Sequence, residues 1–227
     1  MKSTSLKIHP DKLKHDPLKN FPLEKINGPL PDLKIGDIIL VRHKRGGPMR
    51  FFLRRITDSY WDHTALVIFA KSFEKGYAAN IIVEAIQHGL VSSFRQGVQI
   101  HRLEKYLSNP DKYDVGIKRF GLLNEELRNR VRAFVLMNID TPYYPLYTFK
   151  FFLAWLSKSY CKLLLNRQRF SCSGFIQKAF YEAVDWDDRS KVIFRNVGYT
   201  PIQLQDITNP ADVAASASCE WIWNERQ

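Results

Sequence analysis

Residues 170–176 read Phe170-Ser171-Cys172-Ser173-Gly174-Phe175-Ile176, and the way this stretch folds decides the architecture. Downstream, Phe175, Ile176, Ala179, Phe180 and Ala183 recur at three- and four-residue spacing, the pattern of a helix with one buried stripe. The spacing predicts a helix over 171–184 with Cys172 at its N-terminus. Unpaired backbone N–H groups and the positive end of the helix dipole stabilise a thiolate there and lower the thiol pKa. The same N–H groups can donate to a developing oxyanion. An inert buried thiol fits the local pattern equally well, because free cysteine is among the most buried residue types. A nucleophile also needs a base and a group to orient that base.

Both are sought upstream, where the sequence reads as closely spaced strands. Gly36-Asp37 opens the apolar run IILVR, 64–70 (TALVIFA) is β-branched and aromatic, and 81–85 (IIVEA) follows a turn at Glu74-Lys75-Gly76. Weaker strands are expected at 89–92, 99–103 and 115–120. Short connections between them predict an antiparallel sheet. Of six histidines (His9, His15, His43, His63, His88 and His101), His63 opens the strongest strand, in Trp61-Asp62-His63-Thr64-Ala65-Leu66-Val67. Glu84 sits inside the otherwise apolar IIVEA, where a carboxylate costs stability unless it is paired. Adjacent strands would put Glu84 beside His63 and fix its tautomer. A hydrogen-bonded core histidine and an edge-strand glutamate facing water are the plainer readings of the same two residues.

After the strands the period changes. Leu127, Val131, Phe134, Val135 and Asn138 follow helical spacing, Asn124 suits an N-cap, and Glu125 and Glu126 suit the first turn. Thr141-Pro142 is the expected stop. Residues 186–190 (WDDRS) and 196–206 read as loops, and 219–223 as a last strand or short helix. Residues 1–30 carry six lysines, three acids and four prolines with little apolar periodicity, and read as an extension ahead of a domain at 31–227.

Taken together, Gly36-Asp37-Ile38-Ile39, then Asp62-His63-Thr64-Ala65-Leu66-Val67, then Val83-Glu84-Ala85, then Thr141-Pro142-Tyr143 and Cys172-Ser173-Gly174-Phe175-Ile176 resemble the NlpC-type papain-like cysteine hydrolases. Histidine precedes cysteine. That order is similar to the circularly permuted branch, the YiiX/YebB-like group related to lecithin retinol acyltransferase. The resemblance spans about residues 33–208. It implies an α+β permuted papain-like fold, with the antiparallel sheet first and the nucleophile-bearing helix late in the chain. It implies Cys172 as nucleophile, His63 as general base and Glu84 as the third polar residue. Tyr143 and Ser173 become the candidates for oxyanion or substrate contact, and no cofactor is implied. The expected activity is that of a cysteine hydrolase forming a thioester: an amidase or peptidase, a lipid ester or amide hydrolase, or an acyltransferase. Thr64 stands where the family has a small aliphatic residue.

The composition sets the remaining bounds. With 45% hydrophobic and 25% charged residues, the chain has what a folded core needs. Lys and Arg number 34 against 23 Asp and Glu, a net charge of +11, which excludes an acidic solvating protein and directs attention to anionic partners. Three cysteines (Cys161, Cys172, Cys219) do not make a disulfide framework and suit a reducing compartment. The opening MKSTSLKIHPDKLKHD has no apolar signal-peptide core, and no uninterrupted apolar run is long enough to span a membrane. The sequence thus predicts the cytoplasm, a peripheral membrane location or export by a route that reads no signal peptide. No His-Glu-x-x-His, paired Cys-x-x-Cys, Gly-x-Ser-x-Gly or Walker loop is present, so zinc, serine-elbow and P-loop chemistry find no support.

Two segments stand apart. In the apolar insert 146–165, Lys150, Lys158 and Lys162 share one sector at about 100° per residue, opposite Phe151, Phe152, Trp155, Leu156 and Leu163. That pattern suits a helix packed on the core, or an interfacial helix or lid. Residues 42–55 (RHKRGGPMRFFLRR) hold six Lys or Arg and no acid, with a turn at Gly46-Gly47-Pro48. They suit a solvated loop or a binder of phosphate, carboxylate or anionic lipid. The expected partners are a small-molecule, peptide or lipid substrate and, through 146–165 and 42–55, an anionic membrane surface. A non-catalytic lipid- or anion-binding module on the same fold is the alternative function. Nucleic acid is disfavoured because no recognition motif accompanies the charge.

Overall fold

A computed structural model describes residues 29–45, 50–51, 54–55, 59–72, 74, 76–86, 97–142, 171–194 and 208–225. The extension up to residue 28, the turn at 46–48, the strand expected at 89–92, Tyr143, the insert 146–165 with Cys161, and the loop at 196–206 lie outside the described residues.

The strands are β1 (Ile38–His43), β2 (His63–Phe69), β3 (Ile81–Ile86), β4 (Gly97–Arg102), β5 (Tyr113–Phe120) and β6 (Cys219–Glu225). They form one six-stranded sheet in the order β4-β3-β2-β1-β5-β6, and every neighbouring pair is antiparallel. β1 lies inside the sheet and is covered on both faces, which is why its sequence is a continuous apolar run rather than an alternating one. Ile38 and Leu40 enter one core layer with Leu66, Val83, Phe175, Ile176 and Phe180. Ile39 and Val41 enter the other with Ala65, Val67, Ile82, Tyr106 and Trp223.

The helices are α1 (Glu104–Leu107), α2 (Glu125–Met137), α3 (Cys172–Ala183) and α4 (Pro210–Ala215), with a 3-10 helix at Trp186–Val192. α2 and α3 cover the first layer, and α2 starts as expected, with the Asn124 side chain accepting from the Leu127 N–H. It stops earlier than the Thr141-Pro142 signal implies, at Met137. The reason is the docking of the following turn onto β4: Val98 N–H donates to Thr141 O and Asp140 N–H to Val98 O, with Asp140 at a positive φ of 63°. Gly97 permits this close approach. Its φ is +139°, and a Cβ there would meet Thr141 O at 2.5 Å. Residues 186–190 are also not the expected loop. They enter the 3-10 helix, whose end is held by Gln177: Nε2 donates to Val192 O and Oε1 accepts from Phe194 N–H, both at 3.0 Å. The C-terminal alternative resolves as strand β6.

The entry to β1 is fixed by charge. Asp37 is fully buried and accepts from Arg119 through both carboxylate oxygens, Nε at 2.8 Å and Nη2 at 2.6 Å, while the Lys34 N–H donates to it at 2.7 Å. This bidentate pair joins the start of β1 to β5. Removing one partner of a buried pair strands the other charge. Asp37→Ala is expected to destabilise the protein by about 3 kcal/mol, read as a lower urea midpoint at unchanged m-value.

Candidate active site

Cys172 is the first residue of α3. Ser171 is its N-cap, and the Ser171 hydroxyl accepts from the Gly174 N–H at 3.0 Å. This cap leaves the N–H groups of Cys172 and Ser173 without an acceptor among the described residues, at the positive end of a twelve-residue helix. The apolar stripe of α3 packs on the first core layer and so presses the helix tip against β2. Thr64, next to the histidine, donates from Oγ1 to Ser173 Oγ at 3.4 Å, and Ser173 Oγ lies 3.8 Å from the Cys172 sulfur. The departure from the family's small aliphatic residue is therefore a tie between the histidine strand and the cysteine helix.

His63 begins β2, and period-two alternation places it on the face of Ala65 and Val67. Leu66 pairs with Val83 and Val67 with Ile82, so Glu84 on β3 shares that face. The His63 Nε2 stands 2.5 Å from Glu84 Oε2. Nε2 is so engaged, and the Cys172 thiol lies close enough to the ring for each group to shift the pKa of the other. Sulfur, imidazole and carboxylate thus form one electrostatically coupled group.

Glu84 is 1% exposed and its charge is met from several sides. Tyr106 Oη donates to Oε2, Lys105 Nζ donates to Oε1 at 2.7 Å, and His101 Nδ1 stands 3.1 Å from Oε1. Burial opposes the carboxylate, but the neighbouring His101 and His63 and the charge of Lys105 hold its pKa well below the usual range. The phenol of Tyr106 moves the other way, pushed far up by burial and by the Glu84 charge. His63 responds to this environment. Burial disfavours its charged form, yet the bonds and charges of Cys172 and Glu84 outweigh burial and raise its pKa to about 9. For Cys172, burial raises the pKa, but the His63 bond and charge, helped by Ser173 and Thr64, bring it down to about 7. The arrangement favours a thiolate–imidazolium pair near neutral pH.

A second charged group adjoins the first. Asp62, whose side chain is fully buried, accepts from His43 Nδ1 at 2.6 Å, from Arg54 Nη1 at 2.8 Å and from the His43 N–H at 3.2 Å, and Arg50 Nη1 lies 3.5 Å away. The His43 ring stands edge-on to the His63 ring, centroids 6.4 Å apart. The basic stretch 42–55 is therefore not simply a solvated loop: Arg54 is 11% exposed and engaged, and the Arg42 guanidinium lies over the Tyr60 ring.

Of the sequence candidates, Cys172, His63 and Glu84 come together, and Ser173 adjoins them with its hydroxyl facing Thr64. Tyr143 lies outside the described residues. Sequence reasoning did not reach Lys105, Tyr106 or the proximity of His101 to Glu84. The register supplies the last, since Glu84 pairs with Gln99 and Ile82 with His101, which puts His101 on the Glu84 face. Among the described residues no group of three or more His, Cys, Asp or Glu side chains is placed to hold a metal ion. None of the described helices is long and apolar enough to cross a membrane.

Comparison with known proteins now adds to this geometry. Residues 32–222 match the family described as "Permuted papain-like amidase enzyme, YaeF/YiiX, C92 family". A similar solved structure is titled as that of the metalloprotein yiiX from Escherichia coli O157:H7. It shares 13% identity at a TM-score of 0.55, over 85% of this chain and 97% of that one. At that identity the likeness speaks for the fold. A search of curated proteins gave no match. Since the family match extends over most of the chain, from just before β1 into β6, this protein belongs to the permuted papain-like amidases of the YaeF/YiiX type, a papain-like cysteine amidase or peptidase class.

Proposed function

We propose that the protein hydrolyses an amide bond through a thioester on Cys172, with His63 as acid and base and Glu84 as the group that orients His63. The observation that carries this reading is the His63–Glu84 hydrogen bond beside Cys172 at the capped tip of α3, with His63 and Cys172 shifting each other's pKa.

The reading implies the following steps. The Cys172 thiolate attacks the amide carbonyl carbon, forming a C–S bond and moving an electron pair onto the carbonyl oxygen. The Cys172 backbone N–H receives that oxyanion, and the neighbouring Ser173 N–H adds to the positive potential. Tyr143 is the second donor suggested by the family likeness. The imidazolium gives its proton to the leaving nitrogen, the C–N bond breaks, and a thioester and a free amine result. Neutral His63 then takes a proton from water as the water attacks the thioester. Collapse of the second intermediate releases the carboxylic acid and restores the thiolate–imidazolium pair. Throughout, Glu84 accepts the His63 Nε2–H, which keeps Nδ1 facing the sulfur.

Substitution separates these roles. Cys172→Ala should abolish amide turnover with the circular dichroism spectrum retained. His63→Ala should lower kcat/KM by about a thousand-fold, and Glu84→Gln by on the order of a hundred-fold, as loss and misorientation of a general base do. Turnover that survives Cys172→Ala would contradict the mechanism. A second expectation concerns pH. Activity should rise as the Cys172 thiolate forms near pH 7 and fall as the His63 imidazolium loses its proton near pH 9. The two limbs of the kcat/KM profile report the coupled pair. A profile rising through the usual histidine range, near ~6.5, and flat above it would point to a neutral pair with a conventional base.

A further inference from the structure

Resting on the hydrolase reading above, the substrate itself can be narrowed. We propose that Arg50, set beside Asp62 and His43, forms a subsite for a carboxylate of the substrate, so that the enzyme selects amides with an anionic group close to the scissile bond.

Two guanidinium groups, Arg50 and Arg54, face the single carboxylate of Asp62, so the group keeps one positive charge in excess. Asp62 is already supplied with donors: His43 Nδ1 at 2.6 Å, Arg54 Nη1 at 2.8 Å and the His43 N–H at 3.2 Å. Arg50 approaches it only to 3.5 Å, beyond a strong charge-assisted bond, and its side chain is 40% exposed. Arg54, at 11% exposure, serves the fold, whereas the Arg50 side chain, more loosely held, keeps part of its surface open to solvent. His43 adds no compensating or competing charge near neutral pH, since burial, with Arg50 and His63 close by, lowers its pKa despite the Asp62 bond. The location ties the excess charge to the chemistry. The His43 ring meets the His63 ring at 6.4 Å, and the charge of Arg50 reaches both His43 and Tyr106, whose hydroxyl holds Glu84. A guanidinium presents paired N–H donors in a plane that matches a carboxylate, and a single excess charge matches a monoanion.

Two alkylating reagents with the same reactive carbon and the same leaving iodide, iodoacetate and iodoacetamide, test this without knowledge of the substrate. In each, the Cys172 sulfur forms a bond to the methylene carbon and iodide departs. The reagents differ in carboxylate against carboxamide. The readout is the ratio of their rate constants at Cys172, measured by mass spectrometry in the full-length protein. That ratio cancels any change in the nucleophile itself. Arg50→Gln should lower the iodoacetate-to-iodoacetamide ratio by about five-fold, as expected for losing one nearby charge in a partly exposed site. Arg50→Lys, which keeps the charge, should retain most of the ratio. Arg130→Gln removes the same net charge at a remote exposed position on α2 and should leave the ratio unchanged. Added salt should bring the wild-type ratio toward that of Arg50→Gln. An unaltered ratio in Arg50→Gln, or an equal fall in Arg130→Gln, overturns the subsite while the hydrolase reading stands. Alkylation by both reagents no faster than an ordinary thiol overturns the two together.

Discussion

A carboxylate that is 1% exposed inside an apolar strand cannot stay charged without help, and Glu84 sets terms that much of the structure answers. Burying an ion costs several kcal/mol unless partners and hydrogen bonds replace its water. Here the hydrogen bonds come from His63 on β2 and from Lys105 and Tyr106 on α1, and His101 of β4 lies 3.1 Å from the same carboxylate. The carboxylate thus pins the β2-β3-β4 register and the short helix that follows. The same bond that satisfies Glu84 holds the His63 ring, so the orientation of the imidazole is a consequence of folding rather than a later adjustment. A half-satisfied group of this kind would be worse than an apolar core, which explains why donors crowd around it.

The imidazole and the sulfur approach from different layers. His63 and Glu84 belong to the face that carries Ala65, Val67 and Tyr106, while α3 packs on the opposite one. They meet because His63 is the first residue of β2 and Cys172 the first of α3, so both side chains sit at the ends of rigid elements. The Ser171 cap fixes where the helix begins, and the Thr64–Ser173 contact fixes where that start lies on the strand. Neither element needs to be early or late in the chain for this to work. A permuted order leaves the spatial arrangement intact, since α3 packs on β2 from a distant part of the chain and the contact does not depend on how the two are connected.

The legible parts of the sequence were those with a local physical signature. IILV and TALVIFA announced buried strands, the Asn124 cap and the Phe175–Ala183 stripe announced helices, and an acid inside IIVEA announced that it needed a partner. The bounds failed where tertiary contacts decided them, as at Met137, where the chain leaves the helix to dock on β4. Lys105 and Tyr106 were illegible because a four-residue helix has no periodicity to read, and their role depends on a β3-β4 register that no local pattern fixes. Asp62 was visible only as the residue before the histidine. Its hold on His43 and Arg54 emerges only when β1 and β2 are paired, Val41 opposite His63. The basic stretch was likewise readable as charge but not as two kinds of charge, one inward and engaged at Arg54 and one outward at Arg50.

The central claim is electrostatic: Cys172 carries a thiolate near neutral pH because His63, backed by Glu84, is charged beside it. Ultraviolet thiolate absorbance followed against pH tests it most directly, taking the difference between the wild-type protein and Cys172→Ser so that only this sulfur contributes. The account predicts a single thiolate appearing near pH 7, moving upward when His63 is replaced by alanine. A thiolate that appears only near the ordinary cysteine value, about 8.5, and is indifferent to His63→Ala would contradict it.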